Sequence, residues 1–173
     1  MKIAEPCGCF PTGRHYPGIA HLVKVRAVGV SAEHDAGGAW MDYPIALIDT
    51  ETTGRDPTKD RIIEIGVVLG LKGEIVNRFS KLINPGCPIP AESTAVHGIK
   101  DADVAGMPAF AEIAQELVAF LGNAIPAAYN AAFDRGFVLA ELERAGVRPD
   151  APPPAMRREV DWIESADLRP RAL

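Results

Sequence analysis

The decapeptide IALIDTETTG, residues 45–54, runs an apolar segment into two acids and a glycine. Asp49 and Glu51 are two positions apart, so on a strand their side chains share a face. Two carboxylates that close repel each other unless a cation lies between them. Their oxygens suit a hard divalent ion such as Mg²⁺ or Mn²⁺. Thr50, Thr52, Thr53 and Gly54 are small enough to let a backbone or a phosphate come close. Taken alone, an acid–x–acid pair describes a solvated strand end equally well.

A second segment, AYNAAFD at residues 128–134, shifts that balance. A strand runs into Asn130 and a helix starts just after it, which puts Asp134 one turn into the helix. With Phe133 and Phe137 turned to the core, Asp134 would face the strand that carries Asp49 and Glu51. Three carboxylates from two elements suit a two-metal site. Ions roughly 4 Å apart then stabilise the attacking and leaving oxygens of an in-line phosphoryl displacement. For Asp134 alone, a favourable place near the positive end of a helix dipole is the competing explanation.

The elements that must position these residues are legible around them. Ile45 to Ile48 reads as a central strand, Arg61 to Leu69 as a second and Glu74 to Ile83 as a third. Gly70 and Lys72–Gly73 supply the turn between the last two, so the three form an antiparallel meander. Asn84-Pro85-Gly86 ends it. Ala91 to Ile99 has a short helical pattern. Pro108 to Leu121 is an amphipathic helix, with Phe110, Ile113, Ala114, Leu117 and Leu121 on one stripe. Ile125 to Tyr129 reads as a fourth strand, and Ala131 to Ala145 as a helix closed by Gly146. The order predicts an α/β or α+β fold with a mixed sheet. In the second strand, Glu64 is the only acid of an otherwise apolar run, and alternation with Ile63 and Ile65 assigns it to a solvated face.

Composition bounds the function classes. The 173 residues are 47% apolar and 24% charged, ordinary values for one globular domain. The net charge of −5 argues against a broad phosphate-coating basic surface. It leaves room for an enzyme that grips a few nucleotides at a cation site. No apolar run approaches the roughly 20 residues of a membrane span, and Glu5-Pro6 interrupts the place of a signal sequence. Three cysteines fit a reducing compartment, so a cytoplasmic location is expected. Residues 1–40 are rich in Gly and Pro and read as a loose extension, with Met41 an alternative start. Cys7, Cys9, His15 and His21 can be drawn as a zinc set, but the spacing matches no common finger.

The segments DTETTG at 49–54, TAVHGI at 94–99 and YNAAFD at 129–134 together resemble the DEDD superfamily of 3′–5′ exonucleases, histidine subclass. Within it, the pattern is most similar to the proofreading epsilon subunits of bacterial DNA polymerase III and their stand-alone relatives. The likeness runs from about Tyr43 to Gly146 and on toward Trp162-Ile163. It implies an RNase H-like mixed five-stranded sheet flanked by helices, with residues 41–173 as the exonuclease domain. It implies two Mg²⁺ or Mn²⁺ ions held by Asp49, Glu51 and Asp134. It also implies release of nucleoside monophosphates from a nucleic-acid 3′ end, single-stranded DNA above all, with polymerase subunits as partners. By the same resemblance, Thr50, Thr52, Thr53 and Gly54 pack against the terminal nucleotide, and His97 and Phe133 lie beside it. Asn130 is expected to brace the site by hydrogen bonding. A packing or capping role for His97 explains that residue equally well.

The resemblance breaks at a third motif, a histidine, four intervening residues, then an aspartate, which supplies the general base and completes the metal site. The four histidines are His15, His21, His34 and His97, and all precede Asp134. No tyrosine follows Tyr129 to stand in for it. VDWIES at 160–165 resembles the strand that follows the second helix, and Asp167 is a makeshift fourth carboxylate. The expectation is therefore an exonuclease domain incomplete at its C-terminal side. Two further readings stay open: an impaired module that binds nucleic acid or a polymerase subunit, and a ribonuclease that trims RNA 3′ ends.

Overall fold

Alternating burial along Ile45–Thr52 sets the frame of the computed structural model, which describes residues 44–72, 74–147 and the strand pair 163–164. Ala46, Ile48, Thr50 and Thr52 of this strand, β1, point into the structure. Ile45, Leu47, Asp49 and Glu51 point to the other face and are half-buried. Both acids therefore lie within the strand rather than beyond its end. β2 (Ile62–Leu71) pairs antiparallel with β1, and β3 (Glu74–Leu82) pairs antiparallel with β2, which is the expected meander. β4 (Ile125–Ala128) pairs parallel with β1, and β5 (Ile163–Glu164) parallel with β4. The sheet is mixed and five-stranded, in the order β3-β2-β1-β4-β5.

Among the described residues, four helices accompany the sheet: α1 (Ala91–His97), α2 (Asp101–Val104), α3 (Phe110–Leu121) and α4 (Ala131–Arg144). The stripe expected on α3 is the buried one: Phe110, Ile113, Ala114 and Leu117 pack with Ala46, Ile48, Ile65 and Val67 of the sheet and with Phe137, Val138 and Leu142 of α4. The opposite face of β2 has a smaller core, in which Ile63 meets Ile89, Ile99 and Val104. That core explains α2, which the sequence pattern did not reveal. Its Asp101 carboxylate accepts the Ile89 amide at 2.9 Å, and its Val104 fills the space under Ile63. Gly98 follows α1 at φ 79°, where a side chain would be strained.

β2 corrects one expectation. Ile62 through Val68 are all buried, so polarity does not alternate along that stretch. The register also slips: Glu51 faces Glu64 but Thr52 faces Ile62, leaving Ile63 as an extra residue in a β-bulge. The bulge lets Ile62 and Ile65, three apart, join one core. Glu64 is 6% exposed, not solvated, because β2 lies inside the sheet with a core on each face. The residues read as an N-terminal extension, the drawn zinc set and Asp167 lie outside the described residues.

α4 is fixed to the start of β2 by a buried carboxylate. Glu141, 1% exposed, accepts the Arg61 guanidinium at 2.7 and 3.0 Å and the Ile62 amide at 3.3 Å, and lies 3.4 Å from the guanidinium of Arg144. Arg144 in turn donates to the Pro57 carbonyl of the β1–β2 loop. Removing one partner of a buried pair strands the other charge. Glu141→Ala is expected to lower unfolding stability by about 2–3 kcal/mol, discounted because Arg61 keeps access to water. Urea denaturation checks this, and a loss below about 0.5 kcal/mol would contradict it.

Candidate active site

β1 ends where β4 has already diverged, since the β1–β4 pairing stops at Leu47 and Ala127. The N-terminus of α4 faces the C-terminal half of β1, and Asp134 meets that strand through Thr50. The Thr50 hydroxyl donates to Asp134 Oδ1 at 2.8 Å, and both residues are buried. Thr50 points to the α4 side of the sheet. Asp49 and Glu51 alternate to the other side, so the three expected ligands approach β1 from two directions. The chain folds this way because Phe137 is fully buried and Phe133 stacks beside it, with centroids 4.8 Å apart, which seats the first turns of α4.

The electrostatics tie the acids together. Burial raises the Asp134 carboxyl from its ordinary 3.8 to about 6; the Thr50 hydrogen bond opposes the shift and the Asp49 charge adds to it. Glu64, directly across from Glu51, is raised from 4.5 to about 7 by burial first and then by the charges of Glu51 and Asp49. Asp49 thus acts on both Glu64 and Asp134. The donors are all carboxylates, which fits a hard divalent cation in kind. Among the described residues, no three acidic, histidine or cysteine side chains are arranged to hold a metal ion.

Beside the acids lies a cleft of about 920 Å³. Its lining draws Thr50, Glu51 and Thr52 from β1, Thr53 and Gly54 from the β1–β2 loop, His97 from α1, and Asn130 and Phe133 from the start of α4. Pro90, Glu92, Ser93 and Val96 complete the α1 side, and Arg55 and Asp60 the loop side. The threonine hydroxyls are committed inside the protein. Thr52 donates to the Gly54 carbonyl at 2.6 Å, and Thr53 bonds Asp60 and accepts the Arg61 amide. Gly54 lies against Asp60: a Cβ there would come within 2.3 Å of the carboxylate, which would have to move. Ser93 donates to the Thr53 carbonyl at 2.7 Å and so ties α1 to the loop.

The Asn130 side chain makes no capping bond; the Asn130 backbone carbonyl accepts the amides of Phe133 and Asp134 at 2.9 and 3.3 Å. His97 both lines the cleft and closes α1, since its Nδ1 accepts the Ile99 amide at 3.0 Å. Burial holds its pKa below the ordinary value and the Thr52 backbone opposes that shift, although Nε2 makes no hydrogen bond of ordinary geometry.

The family model for Exonuclease (RNase_T) matches residues 46–167, which takes in every element described above except the first residue of β1. The chain belongs to this exonuclease family. The exonuclease fold is RNase H-like, and the solved structure of exonuclease I superposes with a TM-score of 0.57 at 17% identity, over 64% of this chain and 26% of that one. Among sequences, a DNA polymerase III subunit epsilon-like protein of Rhodobacter capsulatus is 47% identical over 95 residues, 53% of this chain and 14% of that protein. The 3′-5′ exonuclease DinG of Bacillus subtilis is 43% identical over 106 residues, 60% and 11%. A DNA polymerase III PolC-type protein of Clostridium perfringens is 39% identical over 106 residues, 61% and 7%. The exonuclease domain therefore spans about a tenth of the length of these relatives.

Sequence reasoning set Glu64 aside and did not single out Glu141 or Asp60. An acid inside an apolar strand was the available signal for Glu64. Its folded state holds a proton more tightly than the unfolded state, so its contribution to stability is intact below pH 4.5 and is lost as pH rises through about 7. In metal-free buffer the exonuclease domain should lose up to about 3 kcal/mol through that window from this group, and Glu64→Gln should flatten the loss. Thermal melts of both proteins from pH 4.5 to 8.5 measure it; parallel curves would disprove the assignment.

Proposed function

We propose that this chain is a divalent-cation-dependent 3′–5′ exonuclease acting on single-stranded DNA ends, in proofreading or repair. The observation that carries the reading is the convergence of β1, the β1–β2 loop, α1 and the start of α4 on one cleft with Glu51 in its wall. Membership of the exonuclease family and relatives named as polymerase III epsilon-like, PolC-type and DinG 3′-5′ exonuclease support it.

In this reading Asp49, Glu51 and Asp134 hold the cation. A bound divalent ion supplies positive charge against the charge that develops on the transferred phosphoryl group. Asp49 and Glu51 lie in one strand, so their spacing is set by the β1 backbone. Asp134 is oriented by the Thr50 hydroxyl. Glu64 lies opposite Glu51 and feels the charges of Glu51 and Asp49, which add to burial in raising its pKa. Gly54 and the threonine segment present backbone to the terminal nucleotide, and Phe133 offers an aromatic face for a base. One observation favours a second reading, a module that binds a strand end without turnover: among the described residues no three metal donors are gathered.

Cleavage of a 5′-labelled single strand by the 173-residue protein in Mg²⁺ or Mn²⁺ separates the two. A ladder shortening from the 3′ end is expected. It should vanish in EDTA and fall by at least about 10²-fold in Asp49→Ala. Binding without any shortening, by folded protein in either ion, would favour the module instead.

A further inference from the structure

The cleft is lined by the acids Glu51, Asp60 and Glu92, and among the described residues Arg55 is the only permanently cationic side chain in its lining. Asp60 and Asp56 of the same loop are engaged elsewhere, as is Glu141 of α4. Asp60 takes the Thr53 hydroxyl and the Asp56 amide, and Asp56 takes Lys59 and Thr58. Glu141 takes Arg61 and Arg144. Among the described residues the Arg55 side chain makes no hydrogen bond or ion pair, and it is exposed. Its backbone is nonetheless held. Gly54 is pressed against Asp60, Thr53 is bonded to Arg61 and to Ser93, and the Asp56 amide is bonded to Asp60. A charged side chain on a braced loop, with no partner among the described residues, faces a cleft into which the proposed substrate must bring phosphates.

We propose that Arg55 grips a backbone phosphate of the single strand whose 3′ end occupies the cleft, which rests on the exonuclease reading above. A guanidinium stays charged at any physiological pH and its planar fork matches two phosphate oxygens. Such a contact fixes the position of the strand and carries no base information. It also accounts for how a chain of net charge −5 attracts a polyanion: one local cation opposes the field of the acids around it.

The test is equilibrium binding of a 5′-labelled thymidine strand with phosphorothioate linkages, in Mg²⁺, over a series of salt concentrations. Wild type, Arg55→Ala, Arg55→Lys and Lys59→Ala are compared, each shown folded by circular dichroism. Arg55→Ala should bind roughly fivefold more weakly. Its plot of log affinity against log salt should be shallower by about 0.7, the loss of one single-strand phosphate contact. Arg55→Lys should keep the slope while losing part of the affinity. Lys59→Ala removes the same charge from the same loop and should leave the slope within error, which excludes a net-charge effect. If wild type binds and Arg55→Ala matches it in affinity and slope, the Arg55 assignment is overturned and the exonuclease reading stands. If Lys59→Ala flattens the slope as much as Arg55→Ala, the assignment is likewise overturned. If wild type neither binds the strand nor shortens an unmodified one, both fall.

Discussion

A single buried carboxylate holds the two halves of the molecule in register. Glu141 reaches from the last turns of α4 to the Arg61 guanidinium and the Ile62 amide at the start of β2, about 80 residues away in sequence. Without that bond, α4 would keep its apolar contacts but lose its angular setting on the sheet. The setting matters because Asp134 lies two turns earlier on the same buried stripe of the helix. Fixing Glu141 at one end and Thr50–Asp134 at the other leaves α4 little freedom to slide along β1. The same clamp reaches the β1–β2 loop through Arg144 and Pro57, so helix, strand and loop form one rigid corner around the cleft.

Against that rigid frame, the acids are arranged at a cost to stability. Glu64 and Glu51 are directly opposed across two neighbouring strands, an arrangement that destabilises a sheet when both are charged. Burial of Asp134 and Glu64 adds to the penalty. A sequence optimised for folding alone would place apolar residues there. Local conflict of this kind inside an otherwise consistent fold is expected at functional or strained positions.

The legible parts of the chain were those governed by local pattern. The α3 stripe from Phe110 to Leu117 follows from 3.6-residue periodicity, and the meander from β-branched runs broken by turn residues. The segments around Asp49, Glu51 and Asp134 carried a recognisable family pattern, and the family match spans them. Glu64 was misread because alternation assumes one wet face, whereas β2 is covered on both and shifted by a bulge at Ile63. Glu141 was invisible because nothing near it in sequence marks an acid in a helix as the partner of Arg61. The four-residue α2 is too short for any periodicity, and its stability comes from Val104 packing on Ile63. Interactions between residues far apart in the chain are what the sequence pattern does not display.

That distance has a consequence for the order of events during synthesis. β1, β2 and β3 pair with near neighbours, so the meander can form as soon as Leu82 has been made. The hydrogen bond between Thr50 and Asp134 spans 84 positions, and the Arg61–Glu141 bonds span 80. Closing such long loops is slow compared with forming a hairpin. A growing chain can therefore pair the strand that carries Asp49 and Glu51 before the helix that brings Asp134 to Thr50 exists. The acids are displayed early, but the cleft is completed only when α4 docks. The docking of one helix is what brings Asn130 and Phe133 to the wall of the cleft.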